Sequence, residues 1–144
     1  MLLGCPWFLS AFQRGGPVEY VGGTLDAIPE RSGGTIATSD PVSFIFQSKR
    51  ATVRVPYDRI NLLEYGQNAS RRILESLLVS PLFILSRKRV HFLTVGYETE
   101  DGRQQAMVFR VHKRAIRTVL ASLEARTGRK VVFQDNEARK AGRG

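Results

Sequence analysis

From residue 18 onward, apolar and polar side chains alternate in short runs bounded by turn residues, the period of half-buried strands rather than of helices. Glu19, Tyr20 and Val21 lead into Gly22-Gly23, and residues 24–28 resume an extended pattern. Ser32-Gly33-Gly34 and Ser39-Asp40-Pro41 read as turns. Residues 42–47 place Val42, Phe44 and Phe46 on one face, because successive side chains of a strand point to opposite sides. Residues 51–55 alternate again, with Ala51, Val53 and Val55 opposite Thr52 and Arg54. Pro56 ends that run, since proline cannot donate to a sheet ladder. Residues 60–65 form a further short strand closed by Gly66.

The clearest hairpin comes later. Residues 90–98 and 104–111 are both β-rich, and Thr99, Glu100, Asp101 and Gly102 join them. Asp-Gly between such runs favours a tight turn, because glycine accepts a positive φ. Glu98, Glu100 and Asp101 are local to that turn and read as solubilising groups, not as an acid/base pair. Residues 113–126 then switch period. Ile116, Val119, Leu120 and Leu123 make a helical stripe, and Gly128 supplies a left-handed stop. Residues 130–134 return as a last short strand. The expected architecture is α+β and strand-dominated: a small β-barrel of about seven strands capped by one C-terminal amphipathic helix. Phe44, Val53, Phe92, Phe109, Ile116 and Leu120 should converge in its core.

Residues 51–66 (ATVRVPYDRINLLEYG) resemble the strand–PY–D–x–I–x–x–L pattern of pleckstrin-homology-like (PH-like) and GRAM-like domains. YVGGTL, EYGQ, HFLTVGY and LEARTGRKV are similar to stretches of uncharacterised small bacterial proteins of that fold. The likeness spans residues 18–134 and implies a PH-like barrel with a binding or scaffold role. The chain departs from the pattern in two places. An apolar insertion occupies residues 67–89, and residues 24–38 contain Arg31 as their one cation, where phosphoinositide-binding members carry Lys and Arg. Around this domain, residues 1–17 form an apolar N-terminal segment and residues 135–144 a flexible basic tail.

Charge sharpens the picture. The 144 residues carry 22 Lys+Arg against 13 Asp+Glu, a net charge of +9. Residues 1–68 hold six of each sign, whereas residues 69–144 hold 16 basic and seven acidic side chains, so the second half carries the whole excess. Such a field attracts phosphate, anionic lipid or acidic protein. One cysteine excludes a disulfide framework within the chain. No GxSxG elbow or HExxH motif occurs. The Gly pairs at 15–16, 22–23 and 33–34 lack the Lys-Ser/Thr that completes a phosphate loop. His91 and His112 have no acidic or thiol companion and read as strand-end residues. Neither catalysis nor a cofactor is expected.

The most informative segment is residues 71–89 (RRILESLLVSPLFILSRKR). Arg71 and Arg72 precede an apolar stretch containing Leu82, Phe83 and Ile84, and Arg87, Lys88 and Arg89 follow it. Apolar anchors between cations suit an anionic membrane interface. The same surface could instead pack on the barrel or on a second subunit. A secondary basic face combines Arg110, Lys113, Arg114 and Arg117. The expected partners are an anionic membrane surface or a protein, including a second copy of the chain, with non-specific nucleic-acid binding ranked behind both. No apolar run is long enough for a transmembrane helix. Residues 1–12 are strongly apolar and read as a strap or a signal remnant. Leu2-Leu3-Gly4-Cys5 resembles the end of a bacterial lipoprotein signal, which requires a start upstream of Met1. Otherwise a cytoplasmic or membrane-peripheral location fits the lone thiol.

Overall fold

The computed structural model describes residues 16–66, 91–134 and 136–143. The apolar segment at residues 1–12, Cys5 included, and the whole insertion at residues 67–89 with its basic flanks lie outside the described residues. What is described is strand-dominated α+β. Strands β1 (Pro17–Gly23), β2 (Ser32–Ala37), β3 (Ser43–Ser48) and β4 (Thr52–Pro56) precede a 3-10 turn at Tyr57–Arg59. Then come β5 (Ile60–Gly66), β6 (Phe92–Glu98), β7 (Gln104–Val111), helix α1 (Lys113–Thr127), β8 (Val132–Phe133) and helix α2 (Asn136–Arg143). One sheet holds all eight strands in the order β4-β3-β2-β1-β7-β6-β5-β8. Its pairings are antiparallel except for β5 with β8, which is parallel.

This connectivity forces the sheet to roll. β4 and β5 stand six places apart in the order, yet only Tyr57–Arg59 separates them along the chain. In a flat sheet, six steps of ~4.8 Å would set them ~29 Å apart. The four Cα steps from Pro56 to Ile60 reach ~15 Å at most. The expected barrel seam is nevertheless not closed by a ladder, and β4 and β8 remain the two edges. The reason is local. Pro56 lacks a donor and is exposed on β4, and β8 occupies the side of β5 that a seam would use.

The core lies inside the roll. Tyr20, Ile36, Phe44, Phe46, Leu63, Leu93, Met107 and Phe109 meet the helical stripe Ile116, Val119, Leu120 and Leu123 there. Phe109 is at its centre, with ring centroids 5.0 Å from Phe46 and 6.0 Å from both Tyr20 and Phe44. Helix α1 is bounded as its sequence implies. His112 Nδ1 accepts from the Arg114 amide at 3.3 Å, and Gly128, at φ 71°, donates to the Glu124 carbonyl. The β6–β7 turn closes with the Gly102 amide donating to Thr99, and Gly102 takes φ 83°.

Four expectations are corrected. Val42 is 66% exposed and precedes β3, leaving Phe44 and Phe46 to the core. Here the Asp40 carboxylate accepts from the amides of Val42 and Ser43 at 2.8 Å. Those bonds hold its pKa below the ordinary value and fix the turn. Phe92 is buried but falls on the face of β6 opposite Leu93, Val95 and Tyr97. That outer face also buries Thr94 and, from β7, Ala106 and Val108, so this part of the sheet is covered on both sides. Ser32-Gly33-Gly34 begins β2 instead of forming a turn, and the turn residues fall earlier, between β1 and β2. A Cβ on Gly34 would lie 2.5 Å from the Gln47 carbonyl and 2.6 Å from Phe46 Cε1, so the strand needs a glycine where that ring crosses it. Finally, the segment expected to fray carries α2.

Candidate functional site

Helix α2 forms because its small residues fall on one face. In NEARKAGR, Ala138, Ala141 and Gly142 recur at helical spacing while the remaining positions are polar. Ala138 is fully buried, and Ala141 packs against the core. A Cβ on Gly142 would approach Phe133 Cε1 to 2.6 Å and Leu120 Cδ1 to 2.8 Å, so the helix backbone seats directly on those side chains. Arg117 on α1 donates to the carbonyls of Lys140 and Ala141 at 3.4 Å, placing a cation at the carboxyl end of α2. Gly142→Leu should therefore displace α2, cost ~1–3 kcal/mol in urea denaturation and speed tryptic cleavage at Arg139 and Lys140. Unchanged cleavage would show that this close approach does not hold the helix.

Docking α2 beside β8 creates an open groove of about 520 Å³ lined by Lys130, Val131, Phe133, Asn136, Arg139 and Arg143. Its Phe133 wall is held by a chain of ring contacts. Phe133 meets Tyr65 edge-on at 6.4 Å, and Tyr65 stacks on His91 at 5.3 Å. Arg143 sits 5.2 Å over the Phe133 ring and donates to both Glu124 carboxylate oxygens at 3.1 Å. Burial pushes the Tyr65 phenol up to about 12, so that ring stays neutral at physiological pH. Arg143 is thus ion-paired within the fold through Nη2. Lys130 and Arg139 are exposed and have no ion pair among the described residues.

The charges on the folded chain are segregated. The β1–β2 and β6–β7 connections share one end of the sheet, because the Thr24 amide donates to the Ala106 carbonyl at 3.0 Å and Gly23 pairs with Met107. That end exposes Asp26, Glu30, Glu98, Glu100 and Asp101 against Arg31, Arg103 and Arg59, whose guanidinium donates to the Thr99 carbonyl at 3.4 Å. Arg103 is paired with Asp101 at 3.3 Å, and Thr99 also donates to that carboxylate. The helical layer instead exposes Arg114, Arg126, Arg129, Lys130, Arg139 and Lys140.

The residues singled out from sequence are distributed unevenly. Arg71, Arg72, Leu82, Phe83, Ile84, Arg87, Lys88 and Arg89 lie outside the described residues. Arg110 is exposed on β7 beside Glu19 of β1, which is its register partner. Lys113 begins α1, and Arg114 is exposed one residue further. Arg117 is committed to the α2 carbonyls. The secondary face is therefore divided between the sheet and the helical layer. His112 serves as a helix cap and His91 as a stacking partner. No group of three or more metal-ligating side chains occurs among the described residues. Among those residues, no helix is long and apolar enough to cross a membrane. Sequence reasoning missed Lys130 and Arg139. The available signal was the Ala138/Ala141/Gly142 spacing, which marks residues 136–143 as a docked helix. No protein-family model matches the chain, and no curated protein matches it.

Proposed function

We propose that this chain is a non-catalytic binding module with a PH-like barrel architecture, and that it engages an anionic membrane surface through its basic side. The rolled meander followed by a helix against the core supports the PH-like assignment. The observation that carries the functional reading is the segregation of charge: an acidic end at the β1–β2 and β6–β7 connections, and a basic helical layer elsewhere. A surface of one sign attracts a target of the other and repels it at the wrong end, so it orients the encounter as well as strengthening it. Each Lys or Arg near an anionic leaflet contributes ~1 kcal/mol at physiological salt, so a handful of cations suffices for measurable binding. In this reading Arg71, Arg72, Arg87, Lys88 and Arg89 add to the attraction, and Leu82, Phe83 and Ile84 supply apolar burial.

Flotation with vesicles tests it. The protein should rise with phosphatidylcholine vesicles containing phosphatidylserine and stay behind with pure phosphatidylcholine. Added salt should weaken the association, and so should the triple change Arg87→Gln, Lys88→Gln, Arg89→Gln. Failure to float with either vesicle removes the membrane reading. A self-complex or protein complex that Phe83→Ser disrupts, insensitive to vesicle charge, would point to an interaction module. Salt-sensitive binding to nucleic acid that survives Phe83→Ser would point to the third partner class.

A further inference from the structure

We infer that the groove between β8 and α2 is a binding site for an exposed phosphate group, with Lys130 and Arg139 as its ligand-holding cations. This deepens the reading of the chain as an anion-binding module and rests on it for the lipid source of that phosphate. The groove is built rather than incidental. One wall is Phe133, held by Tyr65 from one side and by the Arg143 guanidinium over its ring. Arg143 is in turn tied to Glu124, so the wall is braced from α1, α2 and β5 together. The two cations come from separate elements: Lys130 from the link between α1 and β8, and Arg139 from α2.

The division of labour among the cations points to the ligand. Arg143 is paired with Glu124 through Nη2, and Arg117 donates from Nε and Nη2 to the α2 carbonyls. Lys130 and Arg139 face the same groove with no carboxylate partner among the described residues. Asn136 adds a neutral amide able to donate to an oxygen. An ammonium, a guanidinium and an amide around one cavity match a group with several oxygens and more than one negative charge. A phosphomonoester has that character, whereas a single carboxylate or a diester carries less charge and fewer free oxygens. The cavity, at about 520 Å³, is larger than one phosphate and admits the group together with the moiety that bears it.

The test compares phosphatidylcholine vesicles carrying phosphatidic acid, an exposed phosphomonoester, with vesicles carrying phosphatidylserine at matched surface charge. Inorganic pyrophosphate, titrated calorimetrically against the full chain, is the soluble arm. The wild type should prefer phosphatidic acid, and Lys130→Gln/Arg139→Gln should lower that preference at least about tenfold, because two charge-assisted contacts to the phosphate are lost. Arg114→Gln/Arg126→Gln removes the same charge elsewhere on the helical layer and should change the preference by less than about twofold. Circular dichroism melts of both variants check that they fold. Equal binding to the two anionic vesicles, or equal losses in the two double variants, overturns the groove while leaving the membrane reading intact. Binding of pyrophosphate alone, abolished by Lys130→Gln/Arg139→Gln, overturns the membrane reading and keeps the groove as a site for a soluble phosphate compound. Binding to none of the probes overturns both.

Discussion

Phe109→Ala is expected to lower the unfolding free energy by ~3–5 kcal/mol, the range for truncating a buried aromatic ring. The ring is fully buried on β7 and touches aromatic partners from β1 and β3: Tyr20, Phe44 and Phe46. β1 is paired with β7, but β3 lies three places from β7 in the sheet order and reaches it only because the sheet is rolled, so the cavity left by alanine would open where distant parts of the chain converge. Neighbouring rings cannot collapse into it easily, since each is itself packed against the α1 stripe or the opposite strands. The loss should appear as a lower urea midpoint with an unchanged m-value. A loss below ~1 kcal/mol would show that these rings do not form one packed cluster.

Gly23→Ala should cost about 3 kcal/mol, for a reason of backbone geometry instead of burial. Gly23 has φ 153°, which L side chains rarely adopt, and an added Cβ would lie 2.3 Å from the Ala106 carbonyl oxygen and 2.8 Å from the Tyr20 hydroxyl. The carbonyl cannot retreat freely, because it accepts from the Thr24 amide at 3.0 Å. The Ala106 amide is likewise held by Thr24 Oγ1 at 3.0 Å. Relief therefore means breaking the β1–β7 ladder beside the register shift between Tyr20 and Gly22. Gly33→Ala is the matched control. Nothing lies within 4 Å of its would-be Cβ, and it should cost less than ~1 kcal/mol in the same assay. Equal losses at the two positions would mean that strand propensity governs, not the close approach.

Different parts of the molecule were legible to different degrees. The α1 stripe and its Gly128 stop, the Asp101-Gly102 hairpin and the Phe44/Phe46 alternation are all settled by neighbours within a few positions, and the folded chain uses them as expected. Ser32-Gly33-Gly34 misled, because glycine signals a turn equally well whether the space above it is empty or filled by a ring from another strand. Phe92 misled in a similar way. Alternation identifies two faces, and on β6 both are buried. The candidate groove was invisible as a site. Lys130 opens the run that reads as a last short strand and Arg139 lies nine positions on, in what composition marks as a polar tail, and only the seating of α2 on Leu120 and Phe133 brings them to one cavity.

By itself the sequence determined the strand-dominated class, the amphipathic helix α1 and the concentration of positive charge in the second half. Those properties depend on local period, composition and turn chemistry, which act over a few residues. The tertiary structure decided which strands are edges, which glycines lie under rings, which cations are used up inside the fold and which remain at the surface. Each of those outcomes depends on contacts between segments far apart in the chain. β8 takes the free side of β5, Phe46 crosses Gly34, Arg117 holds the end of α2, and Arg143 closes on Glu124. Such contacts are chosen by close packing in three dimensions, where a methylene more or less changes the partner, and no periodicity along one dimension encodes them.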